Sequence, residues 1–264
     1  MPAPTSTRAR LAICAAPFVA LLAVAAFVPL PFAIAQPGTT VNVLGTDEGK
    51  PVITLGGAES RRTTGQLRMT TIQATGPRVD VSLREVISGW FRTDRAVMPH
   101  DSVYPVGNSD KEVEAHNNAE MRKSQDAASE AALRYLHKSP DQVKVGLSLA
   151  DIGGPSAGLL FTLGIIDKLD GDGRGGDLTG GRTIAGTGTI EPDGTVGAVG
   201  GVPLKTQAAK RDGATVFLVP RGECSDASAN LPKGLRLVPV ERLTDAVTSL
   251  KDLASGREDK IPTC

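Results

Sequence analysis

Residues 143–169, VKVGLSLADIGGPSAGLLFTLGIIDKL, decide the fold. The stretch opens with Val143, Val145, Leu147 and Leu149 alternating with Lys144, Gly146 and Ser148, the period of a half-buried strand. It breaks at Gly153-Gly154-Pro155 and resumes as an apolar run over 159–169, which reads as a helix. A side chain at such a strand-to-helix turn stands beside the free N–H groups of the helix's first turn. Ser156 occupies that place.

Working outward, Ser109-Asp110-Lys111-Glu112 is a capping-box pattern that opens a long helix, with Val113, Met121, Ala128, Ala132, Tyr135 and Leu136 as its apolar positions. That helix should end before Pro140. Downstream, the Gly/Asp-rich stretch 170–181 is a turn, and strands over 183–190 and 195–199 flank Glu191-Pro192-Asp193-Gly194. A helix over 202–212 stops at Gly213, a buried strand covers 214–219, and a last strand and helix occupy 235–240 and 241–253. Upstream, strands are expected over 51–55 and 65–74. Residues 84–108 hold Trp90, Phe91 and Tyr104 and are expected to form a helix and a loop that pack on the main domain or on the membrane surface, with core packing preferred. The sum is an α/β (α+β) fold, a mixed sheet with flanking helices.

A second glycine pair, Gly200-Gly201, stands before Val202-Pro203-Leu204-Lys205 and puts Lys205 in the first turn of a helix that Pro203 suits. A serine hydroxyl is a weak nucleophile until a neutral base takes its proton, and a lysine is neutral near pH 7–8 only where burial disfavours its ammonium. Ser156 and Lys205 are therefore the candidate catalytic pair. Read without that chemistry, Ser156 is a helix cap and Lys205 a solvated side chain.

Other patterns fail on detail. The segment 200–206 ends in Lys-Thr like a phosphate loop, yet Leu204 stands where the cradle needs glycine, so ATP is not expected. Asp170-Gly171-Asp172-Gly173 lacks the later ligands of a calcium loop, and neither a metal nor a cofactor is expected. His100, His116 and His137 lie far from Ser156 in sequence and read as surface residues.

The 264 residues include 29 basic and 29 acidic side chains, a balance that argues against nucleic acid as a partner. Arg8 and Arg10 precede an uncharged stretch over 11–35, which is expected to cross a membrane with residues 1–10 in the cytoplasm. The stretch stays as an anchor or is cut after Ala33-Ile34-Ala35; its roughly 25 apolar residues favour retention. Either way residues 37–114 form an extracytoplasmic region, and the protein is at the cell membrane or secreted. Cys14 then lies in the membrane segment, and Cys224 and Cys264 share an oxidising space, where a disulfide between them would tie down the tail 254–264. Such a closure is worth about 4 kcal/mol on the chain-entropy model. Two unrelated free thiols are the alternative.

Residues from about 115 to about 250 resemble the proteolytic domain of the Lon family. Met121-Arg122-Lys123-Ser124 resembles its Met-x-x-Ser, and Gly154-Pro155-Ser156-Ala157-Gly158 its nucleophile motif. Thr187-Gly188, Gly194-x-Val196 and the run from Gly200-Gly201 to Ala208-Ala209-Lys210-Arg211 follow in the family's order. The region before about residue 115 is similar to membrane-anchored, secreted Lon-like bacterial proteins, although the segment between Leu136 and Val143 leaves no room for their PDZ domain. The resemblance places a Lon-like domain over 115–253, with Ser156 as nucleophile, Lys205 as general base, Thr187 orienting the lysine and Gly154 shaping the turn. Gly153 and Thr189 stand where the family often has acids, and Asp151 is a candidate substitute. The implied activity is an ATP-independent serine endopeptidase acting on polypeptides outside the cytoplasm, with homo-oligomerisation left open. A catalytically silent peptide-binding or scaffold domain at the membrane is the alternative.

Overall fold

The computed structural model describes residues 7–104, 109–149 and 154–264. Six strands build one mixed sheet in the order Arg236–Val240, Val216–Pro220, Thr183–Gly186, Gln66–Ala74, Phe32–Asn42 and Ala96–Pro99. The first four run parallel to one another, and the last two pairings are antiparallel. Parallel strands need crossovers that cover the sheet's faces, which is why Val216–Pro220 is an unbroken apolar run, buried at every position. Its side chains divide between two cores. Val216 and Leu218 join Phe161, Leu163 and Leu250 on one face, while Phe217 and Val219 join Val202, Ala209 and Leu237 on the other.

The long helix Asp110–Tyr135 begins at the expected cap, with Ser109 accepting from the Glu112 N–H. It packs on the helix Gly158–Leu169, which is buried from Gly158 through Asp167 and lies between the long helix and the sheet. The helix Val202–Arg211 covers the sheet at the second core. The strand Lys144–Leu147 forms as its alternation predicts, but it pairs antiparallel with Ile53–Gly56, outside the six-stranded sheet. The strand expected over 183–190 is interrupted. Thr183–Gly186 joins the sheet, whereas Thr189–Ile190 pairs with Val196–Gly197 across the Glu191 to Gly194 turn.

The N-terminus corrects the expectation of a membrane span over 11–35. The helix Thr7–Phe27 ends before Pro29, and the last apolar residues of that stretch belong to Phe32–Asn42, a strand hydrogen-bonded on both sides. Ala33, Ile34 and Ala35 are at most 8% exposed there. Pro29 and Pro31 lack the N–H groups that a continuing helix needs. Among the described residues, no helix is long and apolar enough to cross a membrane. A cut after Ala35 would sever the strand.

Trp90 and Phe91 do not take the preferred of their two expected placements. They do not pack into the core but are 66% and 87% exposed, at the end of the helix Leu83–Trp90. That helix buries Val86 against Ile34 and Val81 and turns its other face outward. At the C-terminus Cys224 and Cys264 are bonded, their Cα atoms 5.3 Å apart. The Arg236 guanidinium donates to the carbonyls of Glu258 and Ile261, so the tail is held at two points. Cys14 is a free, exposed thiol.

Candidate active site

The chain enters the helix Gly158–Leu169 through one 3₁₀ turn, Pro155–Ala157. Gly154 precedes it at φ 101°, a conformation that strains any residue with a Cβ. The long helix grips this turn twice. Ser124 Oγ donates to Pro155 O at 3.0 Å, and the Gly154 N–H donates to Asn117 O at 3.1 Å. Close packing explains the second glycine of the motif, since a Cβ on Gly158 would fall 2.9 Å from both Ile190 Cγ2 and Ser124 Oγ. Ser156 is thereby presented, half-buried, at the positive end of the helical run. Asp151 and Gly153 lie outside the described residues.

Lys205 sits in the first turn of Val202–Arg211, 3% exposed. Its Nζ donates to Thr187 Oγ1 at 3.1 Å, and Thr187 Oγ1 donates to Ser156 O at 3.3 Å. The Gly188 N–H donates to the same carbonyl at 3.0 Å. The break in the strand at Thr187-Gly188 thus serves the site, because it turns one hydroxyl and one N–H toward the serine. Thr187, rather than Ser156 Oγ, holds the Lys205 amine. Burial lowers the lysine pKa to about 8, opposed by the nearby negative charge of Glu223. At that value a useful fraction of Lys205 is neutral near pH 7 to 8, the state that a general base requires.

Glu223 carries no motif, and the sequence gives only one signal for it. It follows Val216–Pro220, the parallel neighbour of Thr183–Gly186, and the carboxyl ends of adjacent parallel strands are where α/β sites gather. Glu223 Oε1 accepts from the Val199 N–H at 3.1 Å. Its carboxyl pKa is raised by burial, against the lowering effects of that N–H and of Lys205. Among the described residues none of the three histidines is hydrogen-bonded to Ser156 or Lys205; His100 Nε2 donates to Pro77 O at 2.9 Å.

Residues 127–251 match the family model of the Lon protease (S16) C-terminal proteolytic domain. This stretch is a Lon proteolytic domain. It contains Ser156, Thr187, Lys205 and Glu223, and it begins inside the long helix, after the Asn117 and Ser124 that brace the serine turn. The Lon domain is that of a serine peptidase, with polypeptides as its substrates. No curated protein sequence matches the chain significantly.

Proposed function

We propose that this protein is an ATP-independent serine endopeptidase in which Ser156 is the nucleophile and Lys205 the general base. The observation that carries the reading is the buried Lys205, its Nζ fixed on the Thr187 hydroxyl that in turn bonds the Ser156 carbonyl. In the first step neutral Lys205 Nζ takes the Ser156 proton while Oγ attacks the scissile carbonyl carbon. The oxyanion develops beside the N-terminal end of the helical run that starts at Pro155, where N–H dipoles favour negative charge. The Lys205 ammonium then gives its proton to the leaving amine, and the acyl-enzyme remains. Water, deprotonated by the same lysine, hydrolyses it and restores the serine. The substrates in this reading are flexible or unfolded polypeptides, which can reach a half-buried serine without prior unfolding.

The setting belongs to the same proposal. The Cys224–Cys264 bond supports an oxidising, extracytoplasmic compartment. Membrane attachment through Thr7–Phe27 is supported by its exposed Leu11, Ile13, Phe18, Leu21 and Leu22. The test is to incubate the full chain with an unfolded protein, comparing wild type with Ser156→Ala. Cleavage lost in the variant, with unchanged thermal unfolding, is the expected result. Undiminished cleavage would remove Ser156 from the reaction, and no cleavage by either protein would favour a silent peptide-binding domain.

A further inference from the structure

Resting on the Ser156–Lys205 reading, we infer that Glu223 is a positioning residue of the same reaction, holding the segment that feeds the lysine helix and stabilising the Lys205 ammonium as it forms. Three observations converge on it. Glu223 Oε1 accepts from the Val199 N–H, two residues before Gly201, the left-handed cap of the lysine helix, so the carboxylate fixes the approach to that helix. Glu223 Oε2 is buried and has no hydrogen-bond partner among the described residues. The turn that carries Glu223 is stapled at the next residue, since Cys224 is bonded to Cys264. Burying a carboxylate oxygen without a donor is unfavourable, and a nearby cation is what offsets it.

Among the described residues the surrounding charges are engaged elsewhere. Arg221, on the same turn, is paired with Glu241. Asp226 is the other acid acting on Glu223, and it raises rather than satisfies the carboxyl. On the lysine helix itself, Lys210 donates to Gly234 O, and Arg211 is paired with Asp212 at the C-terminal end. From the strands beneath that helix, Thr40 and, through Thr40, Arg68 are directed to Asp212, not to Lys205. Among the described residues, Glu223 is the charged group whose field opposes the lowering of the Lys205 pKa by burial. Chemically the arrangement works in one direction. A negative charge beside the base favours its protonated form, so the base is stronger, and the ammonium produced when Ser156 loses its proton is held.

Glu223→Gln separates this role from a merely structural one, because the amide keeps the shape and still offers Val199 an acceptor. The pH dependence of kcat/KM on one fluorogenic peptide should show the acidic limb of the variant moved to lower pH by about 0.5–1 unit, with a several-fold lower plateau, as expected for a weaker base. Glu223→Asp should recover part of both. A ¹⁵Nζ NMR titration of the lysines in Ser156→Ala protein, with and without Glu223→Gln, reads the same displacement of Lys205 without needing turnover. An unmoved limb and an unmoved Lys205 titration, even with reduced activity, would overturn the inference while leaving the dyad intact. An active Lys205→Arg enzyme would instead overturn the dyad, and this inference with it.

Discussion

Lys205 and Asp167 are two buried ionisable groups whose surroundings could hardly differ more. Both are at most 3% exposed, and in each case burial is the largest cause of the displaced pKa, which falls to about 8 for the lysine and rises to about 6 for the aspartate. Asp167 Oδ1 accepts from the Leu178 N–H at 2.8 Å, with the Arg61 guanidinium 3.9 Å away. That guanidinium also donates to the carbonyls of Asp167 and Gly175, so the whole cluster organises the turn over 170–181. Lys205 instead leads through Thr187 to a half-buried serine. A displaced pKa records desolvation in both places. Function needs, in addition, a nucleophile within reach of solvent.

The largest effect should come from separating the two costs. Lys205→Met removes the base, so peptide hydrolysis should fall by about 10³-fold or more. The folded pKa of Lys205 lies below its unfolded value, so the folded state binds fewer protons between about pH 8 and 10.5, and wild-type stability rises with pH across that window. Met has no such slope and should be more stable near pH 7 by about 1–2 kcal/mol. Urea unfolding at neutral and alkaline pH checks this. A variant less stable than wild type at neutral pH would show that the lysine holds the fold rather than only the chemistry.

Next in size is the staple beside the lysine. Replacing Cys224 and Cys264 by serine opens a closure of sequence separation 40 and should lower stability by about 4 kcal/mol at most. Hydrogen exchange should quicken around Glu223 and leave the Asp167 turn protected; equal loosening of both would erase the contrast between them.

Asp167→Asn sharpens the other half. Here the folded pKa is raised, so the folded state binds more protons between about pH 4 and 6, and wild-type stability falls as pH rises through that window, by about 3 kcal/mol in all. Asn still accepts from Leu178 and should flatten the dependence while peptide hydrolysis is unchanged. Loss of activity in folded Asp167→Asn protein would make the turn part of the enzyme. The smallest effect expected is for Thr187→Val, where one hydroxyl bond to the lysine is lost. A roughly tenfold lower kcat is anticipated, in line with about 1.4 kcal/mol for a buried hydrogen bond.

Local rules made much of this readable. The Ser109 cap, the Glu191 to Gly194 turn and the alternation of Val143, Val145 and Leu147 each carry their signal within a few residues, and each element formed. Ser156, Thr187 and Lys205 were singled out because glycine pairs and short motifs mark them, and the structure brings the three together. What stayed hidden depends on distant partners. Nothing in residues 144–147 says that they pair with Ile53–Gly56, and the apolar Phe32 to Ala35 fits a bilayer and a sheet equally well; Pro29 and Pro31 count against a regular helix there without naming the strand partners. For Trp90 core packing was preferred to a membrane surface, although the capped helix that carries it has one buried face and one wet face. Glu223 has no local mark, because its role arises only when two parallel strands end side by side.

The joint between the N-terminal helix and the sheet sets a reach. Only residues 28–31 separate Phe27 from the strand that begins at Phe32, and Leu30 is already bonded to the Val81 carbonyl. Four residues span about 14 Å at full extension, and here they are not free to extend. If the apolar helix rests on a surface, as proposed, the folded domain would be held close to it by a joint too short to act as a leash. A shortened protein that is to stay folded must begin before Leu30, since a start at residue 37 would strip half of an internal strand from the sheet.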